Sequence, residues 1–278
     1  MAVDEDDATR RRNRSGLVRD IELLELLADE DVEDGRLAGM GVRELAAASG
    51  RDKAVVSRTM ATLAEAGLVE RDPASRRYRL GGRLFALAAR TEEAALARRA
   101  RPWLRRLAAG TGETSHLCVL RAGAVVTLAS EVGHAAGRTQ TWEGVSTAAW
   151  LTPSGRVLLS GYDGPSLEAW FAAHGSSEPL PRARRRRVGP EGWLLARKQP
   201  VGLDALRIEL DRVRREGHGI SRGELEDGVV ALSVPVRSFT GEVVAALNTS
   251  GPASRETALR SWSPLLREAA RSLSPPPY

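Results

Sequence analysis

Between residues 41 and 81 the period of the apolar residues changes, and the change is punctuated at every step. GVRELAAA (41–48) suits a short helix, and Ser49-Gly50 supplies its stop. Asp52 is placed to N-cap a second helix over about Lys53–Ala66, with Gly67 after it. Val56, Met60 and Leu63 form the apolar stripe of that helix, while Ala54, Ser57, Arg58 and Ala61 share another face. The period then falls to that of a strand: Leu68–Arg71, a DPAS turn, and Tyr78–Leu80 predict a two-stranded hairpin. A preceding helix from near Ser15, with Leu17, Ile21, Leu24 and Ala28 toward a core, is separated by an acidic loop over Asp29–Gly39. Three short helices closed by a hairpin make a winged helix-turn-helix.

Charge says what such a unit meets. Residues 51–83 hold eight Lys/Arg against four Asp/Glu, although the whole chain carries only +5. A helix of this kind fits the major groove of double-stranded DNA, where Arg and Lys reach guanine edges or phosphates. Arg51, Lys53, Ser57 and Arg58 are the expected contacts at and on the second helix. Arg76 and Arg77, at the hairpin tip, are expected on phosphates or in the minor groove. Charge runs more often only solvate a surface, and Arg184–Arg187 fit that blander reading; the order of elements favours DNA for 51–81.

The rest of the 278 residues has room for a second domain. Residues 1–14, an acidic run followed by a basic one, are expected to be a disordered tail. The winged unit is expected over 15–81 and a linker helix over 82–101, broken by Pro102. A second domain is expected over 102–273, with a tail over 274–278. In that domain a helix bearing Trp103, Leu104 and Leu107 ends at Gly110, and two strands flank Arg121-Ala122-Gly123. Helices follow near Ser154–Ser160, Ser166–Ala173 and Leu203–Glu216, with an irregular Pro-, Gly- and Arg-rich loop over 175–202. VVALSVPV and VVAALNTS read as an antiparallel pair, and a last helix covers about Arg255–Leu273. The class is α+β, with an antiparallel sheet.

The same residues weigh against several functions. Cys118 is the only cysteine, so no disulfide or cysteine metal cluster is expected. His116, His134, His174 and His218 lack paired metal spacing. Cys118 reads as a buried, inert strand residue, and Glu224 and Asp227 as turn caps. No enzyme activity and no cofactor are expected. The N-terminus lacks a secretory signal and no run would span a bilayer, which points to a cytoplasmic protein without a membrane partner.

REGHGISRGELEDGVVALSVPVRSFTGEVVAALNTSGP (215–252) resembles the C-terminal half of the isocitrate-lyase-regulator (IclR) family of bacterial transcription factors. The matching positions are Gly217, Glu224, Gly228, Pro235, Gly241, Ala246, Ser250, Gly251 and Pro252. TGET (111–114), SGRVLLS (154–160), VVSRTMATLAEAGLV and YRLG (78–81) resemble further landmarks, in the family's order. The resemblance implies a winged helix-turn-helix joined by a linker helix to a GAF-like effector domain. It also implies a homodimer or dimer of dimers that reads a palindromic operator under the control of a small organic effector. The effector positions it carries over are Pro153, Ser154, Ser221, Ala231, Asn248 and Ser250, with Trp142 and Trp150 nearby as an apolar wall. Arg156 stands where the family usually has lysine, and Asn248 where it often has serine, departures that point away from a small carboxylate, while Trp142 and Trp150 point toward a larger, flatter ligand. The alternative is a DNA-binding oligomer whose C-terminal domain has lost its ligand and only assembles.

Overall fold

The computed structural model describes residues 16–28, 32–33, 36–134, 142–175, 202–226 and 228–274. They fall into two compact units that divide between Thr91 and Glu92. The expected tail at 1–14, all but the first residue of the expected tail at 274–278, most of the Arg-rich loop, and Asp227 lie outside the described residues.

The first unit contains α1 (Gly16–Ala28), a small β1–β2 pair (Val32–Glu33 with Arg36–Leu37), α2 (Val42–Ser49) and α3 (Lys53–Glu65). The β3–β4 hairpin (Val69–Arg71 with Tyr78–Leu80) and α4 (Gly82–Ala88) complete it. Its core is Leu23, Leu27, Leu45, Val56, Met60, Val69 and Tyr78. Local chemistry sets each boundary. The Glu44 carboxylate accepts the Gly41 N–H at 2.7 Å at the start of α2, a bond that lowers the Glu44 pKa. Gly50 takes φ +67° after α2, and Asp52 Oδ1 accepts the Ala54 and Val55 N–H groups at 2.8 and 3.2 Å to cap α3. A third strand contact, Met40 to Tyr78, ties the hairpin to the start of α2.

Two expectations for this unit are corrected. The loop at 29–39 contains the β1–β2 pair. The buried face of α1 is built on Leu23 and Leu27, while Leu17 and Ile21 are 71% and 45% exposed. The helix carries apolar residues on more than one side, and only packing decides which side is covered.

In the second unit, α5 (Glu92–Thr111) leads into β5 (Thr114–Arg121) and β6 (Ala124–Glu131). Then come β7 (Ser146–Ala148), a 3₁₀ turn, α6 (Pro153–Leu159), α7 (Gly164–His174) and α8 (Leu203–Glu216). The chain finishes with β8 (Gly219–Arg222), β9 (Val229–Arg237), β10 (Val243–Pro252), a second 3₁₀ turn over Ala253–Ala258, and α9 (Leu259–Leu273). The six strands form one antiparallel sheet in the order β7-β6-β5-β10-β9-β8. Leu104 and Leu107 of α5 and Trp262 and Leu266 of α9 pack on Leu117, Val119, Val234 and Leu247 of one sheet face. Leu158 and Leu159 of α6, Trp170 of α7 and Leu206 and Leu210 of α8 cover Cys118 and Ala246 on the other. The α+β class and the antiparallel sheet agree with the sequence.

The linker does not. The single helix expected up to Pro102 is two helices: α4 stops at Ala88 and α5 runs from Glu92 straight through Pro102 to Thr111, past Gly110. The break comes at Ala89–Thr91, where the Arg90 and Thr91 N–H groups bond only three residues back, to Leu87 and Ala88. Pro102 is exposed, so its ring displaces nothing in the core. The last helix is also shorter than expected, its first four residues falling in the 3₁₀ turn over Ala253–Ala258.

Candidate functional site

Two sites emerge, one in each unit. In the first, Val56 and Met60 turn one side of α3 inward, which leaves Lys53, Ala54, Ser57, Arg58 and Ala61 exposed along the opposite side. Small residues flank the cations, so the helix backbone can approach a groove closely. Lys53 and Arg58 form no ion pair among the described residues, and their charge is available to a partner. In the hairpin loop, Asp72 Oδ1 accepts the Ala74 and Ser75 N–H groups at 3.0 and 2.7 Å, and Ser75 lowers its pKa. That turn carries Arg76, exposed and at φ +62°, away from the strands.

Two expected contacts have other partners. Arg51 donates to the Arg19 carbonyl at 2.9 Å and pairs with Asp20 at 3.0 Å, with 14% of its side chain exposed. It fastens α1 to the α2–α3 turn. Arg77 donates to the Gly39 carbonyl at 2.6 Å and pairs with Glu44 at 2.9 Å, which fastens the hairpin to α2. Of the expected contacts, Lys53, Ser57, Arg58 and Arg76 are the fully exposed ones.

The second site is a cleft with about 620 Å³ of empty space, its open mouth included, over the sheet face that carries α6. Strand pairing builds its floor: Asn248 of β10 lies opposite His116 of β5 on one side and Ser233 of β9 on the other. Ser221 of β8 is opposite Ala231 of β9, and Ser250 is two residues beyond Asn248 on the same face. Pro153 and Ser154 enter from the start of α6, and Trp142 closes one side. Gly155 makes this approach possible, because a Cβ there would collide with the Ala149 carbonyl. The cleft thus gathers Trp142, Pro153, Ser154, Ser221, Ala231, Asn248 and Ser250 from segments far apart in sequence.

Trp150 is not among them. It packs edge-on against Trp170, ring centroids 6.2 Å apart, in the core under α7. Glu224, expected to cap a turn, instead pairs with Arg156 of α6. Arg156 is only 3% exposed; its Nε donates to the Trp150 carbonyl at 3.1 Å, and its Nη1 lies 3.9 Å from Glu209.

The sequence reading missed His116, Cys118, Thr127, Thr147 and Thr152 as cleft residues, along with Leu225, Glu226 and Val229. His116 Nδ1 lies 2.8 Å from Ser130 Oγ and Nε2 3.2 Å from Ser250 Oγ. Burial lowers the pKa of its imidazole to about 4, so the ring is neutral near pH 7. Burial raises the Cys118 thiol, against smaller opposing bonds from Ser154 and Thr127, so this sulfur is not an activated nucleophile. No group of three or more His, Cys, Asp or Glu side chains is arranged for a metal among the described residues. No helix of the described residues is long and apolar enough to cross a membrane. One atom stands out: Asn248 Oδ1 is buried and has no hydrogen-bond partner. An orphaned acceptor in the floor of a cleft is a place for a ligand donor.

Comparison with known proteins agrees with this division. Residues 16–73 match the IclR helix-turn-helix domain, and residues 88–180 and 197–275 match the C-terminal domain of bacterial transcriptional regulators of the IclR type. The HTH-type transcriptional regulator BhcR of Paracoccus denitrificans is 28% identical over 93% of this chain and 85% of its own length. The crystal structure of a putative IclR transcriptional regulator from Silicibacter sp. superposes with a TM-score of 0.67 at 29% identity, covering 95% of this chain and 99% of that one. An IclR homologue from Microbacterium hydrocarbonoxydans, solved with 4-hydroxybenzoate, superposes with a TM-score of 0.72 at 25% identity, covering 94% and 98% of the two chains.

Proposed function

The chain belongs to the IclR family of bacterial transcriptional regulators and is not an enzyme, and from that premise we propose that it binds a palindromic operator as a homodimer or dimer of dimers, with an affinity set by a small organic effector in the cleft of its second unit. Lys53, Ser57 and Arg58 face the major groove and Arg76 holds phosphate. The effector sits between the start of α6 and the β10 strand, against Trp142.

The observation that carries the effector reading is the unpartnered Asn248 Oδ1 among hydroxyls brought from four strands and a helix start. A buried acceptor left empty is unfavourable, and a ligand donor relieves it. The Microbacterium homologue, solved with 4-hydroxybenzoate, supports a small organic effector. For the effector to switch DNA binding it must favour one arrangement of the assembly over another, since equal affinity for both changes nothing.

Operator fragments retained by the purified protein provide the substrate for the test. Lys53→Ala with Arg58→Ala should lower affinity for the selected site by about 1–3 kcal/mol for each base pair that these side chains read. Arg76→Ala should weaken all sequences alike and flatten the salt dependence. Equal operator binding by wild type and the double variant would refute the α3 assignment. A metabolite library screened by melting and by operator release tests the effector. If no compound changes either, assembly is the sole role of the second unit.

A further inference from the structure

The second unit has another groove, at the opposite end of its sheet. β5, β9 and β10 give the cleft His116, Ala231 and Asn248; from their other ends they give this groove Leu120, Val236 and Val243. It holds about 1700 Å³ of empty space, its open mouth included. Leu96 near the start of α5 and Leu158 of α6 line it from the two helix layers.

Two of its apolar residues face solvent. Phe239 is 58% exposed and Val244 41%. Phe239 stands on a turn that is tied at several points. The Gly241 N–H donates to the Ser238 carbonyl at 3.0 Å, and the Ser238 N–H to the Glu242 carbonyl at 2.8 Å. Arg237 Nη1 donates to the Gly241 carbonyl at 2.7 Å. An aromatic ring fixed in this way at the rim of an apolar groove is a surface for something to cover.

The end of α9 supplies the cover. Leu273, the last residue of the helix, lines the groove. Ser274 donates its N–H and its Oγ–H to the Ala270 carbonyl at 3.1 and 3.0 Å, and its Oγ accepts the Arg237 N–H at 3.3 Å. The chain thus leaves the helix pinned to β9 at the groove. The Ser274 backbone, at φ −64° and ψ 126°, is already close to polyproline II geometry.

Pro275, Pro276, Pro277 and Tyr278 follow. Consecutive prolines favour the same geometry, so ordering them costs little, and they bring no N–H to be stranded on an apolar wall. Such segments dock on apolar surfaces that carry aromatic rings. Four residues of polyproline II reach about 12 Å. From β9 across β10 to β5 is two strand spacings, about 10 Å. The segment is long enough to cross the strand ends.

We propose that Pro275–Tyr278 fills this groove as a strap from the same chain, with its prolines over Phe239 and Val244 and the Tyr278 ring against Leu96. Filled in this way, the far end of the sheet presents no apolar patch to another molecule.

The test uses the full chain. Ala95 is exposed and lines the groove beside Leu96, and Ala109 is exposed near the other end of α5. Under mild oxidation in dilute solution, Ala95→Cys with Tyr278→Cys should close a disulfide within one chain. It should do so at least about tenfold faster than Ala109→Cys with Tyr278→Cys, because the strap raises the local concentration of one pair only. Cys118 is buried and stays out of the exchange. A chain that stops after Ser274 should melt about 2–4 °C lower and bind more of an apolar dye. Phe239→Ser should lower the midpoint of the full chain and change little in the shortened one, since the two changes remove the same contact. Equal closure rates for the two cysteine pairs overturn the proposal, as does a shortened chain that melts like wild type. A disulfide that forms only between chains, or a sedimenting mass that falls with Phe239→Ser at either length, gives the groove to a second copy and overturns it too.

Discussion

His116 stands in the cleft floor with a serine at each ring nitrogen and almost no solvent. Its pKa in the folded chain is about 4, against 6.5 unperturbed, because burial penalises the imidazolium. A folded pKa below the unfolded one means that the unfolded chain binds the proton first. Stability is therefore full above pH 6.5, falls as pH drops from there toward about 4, and levels off below it as far as this group is concerned. The size of the effect is roughly 3 kcal/mol. Denaturant melts across that window should show the loss, and His116→Gln should remove most of the slope. A variant that keeps the wild-type slope would assign it to another group. His116 was invisible to sequence reasoning for a physical reason. It lies in a strand run that reads as ordinary core, and its partners are 14 and 134 residues away. Trp142 and Trp150 looked equivalent from sequence, both being near the start of α6. Only packing separates the one that lines the cleft from the one locked against Trp170.

Helix ends obeyed local rules and were legible; the linker obeyed packing and was not. Asp52, Gly50 and Gly217 mark boundaries because each acts on backbone groups within a few residues, by a side-chain cap or a left-handed turn. Asp52→Ala should accordingly lower the stability of the first unit by about 1 kcal/mol, with Asp52→Ser restoring most of it, as read by denaturant midpoint. Pro102 follows a different balance. It removes one N–H from the middle of α5, yet Ala100, Leu104 and Leu107 on the same helix are buried against the sheet and hold it through the defect. Sequence rules weigh the proline but not the twenty-residue helix that packs around it. Since Pro102 is exposed, Pro102→Ala should restore the missing bond to the Arg98 carbonyl without opening a cavity. It is expected to stabilise the second unit by about 1–3 kcal/mol. No gain, or a loss, would show that the helix is bent at this point and needs the bend. Four of the six strands, in contrast, were read as two separate pairs and the short edge strands β7 and β8 were not read, because the β10–β5 pairing that joins the pairs spans more than a hundred residues and leaves no local mark.

At the scale of the whole molecule, the first unit exposes more apolar surface than its own core requires. Leu17, Val18 and Ile21 on α1 are 71%, 40% and 45% exposed, and Phe85 and Leu87 on α4 are 79% and 55% exposed. Lone exposed apolar residues are ordinary, but two helices that each carry a run of them are typical of a surface that another chain covers. The occupant that fits the proposed function is a second copy. A twofold axis matches identical apolar patches to each other, and it also places two α3 helices to read the halves of a palindrome about one helical turn of DNA, or a multiple of it, apart. A single α3 with its few side chains on the groove gives weak binding; two held at fixed spacing gain by effective concentration. The expected outcome is that the free protein sediments as a dimer or larger at micromolar concentration. Leu17→Glu with Phe85→Glu should produce monomers with the wild-type melting profile of each unit, because neither side chain belongs to the core. Those monomers should bind a single half-site as wild type does per unit, and should lose the tighter binding that the full palindrome gives. Ultracentrifugation and titration of half-site and full-site duplexes read both effects. If wild type is a monomer that still prefers the palindrome, or if the double variant remains a dimer, the apolar faces of α1 and α4 serve something other than self-association, and the pairing of recognition helices must come from the second unit.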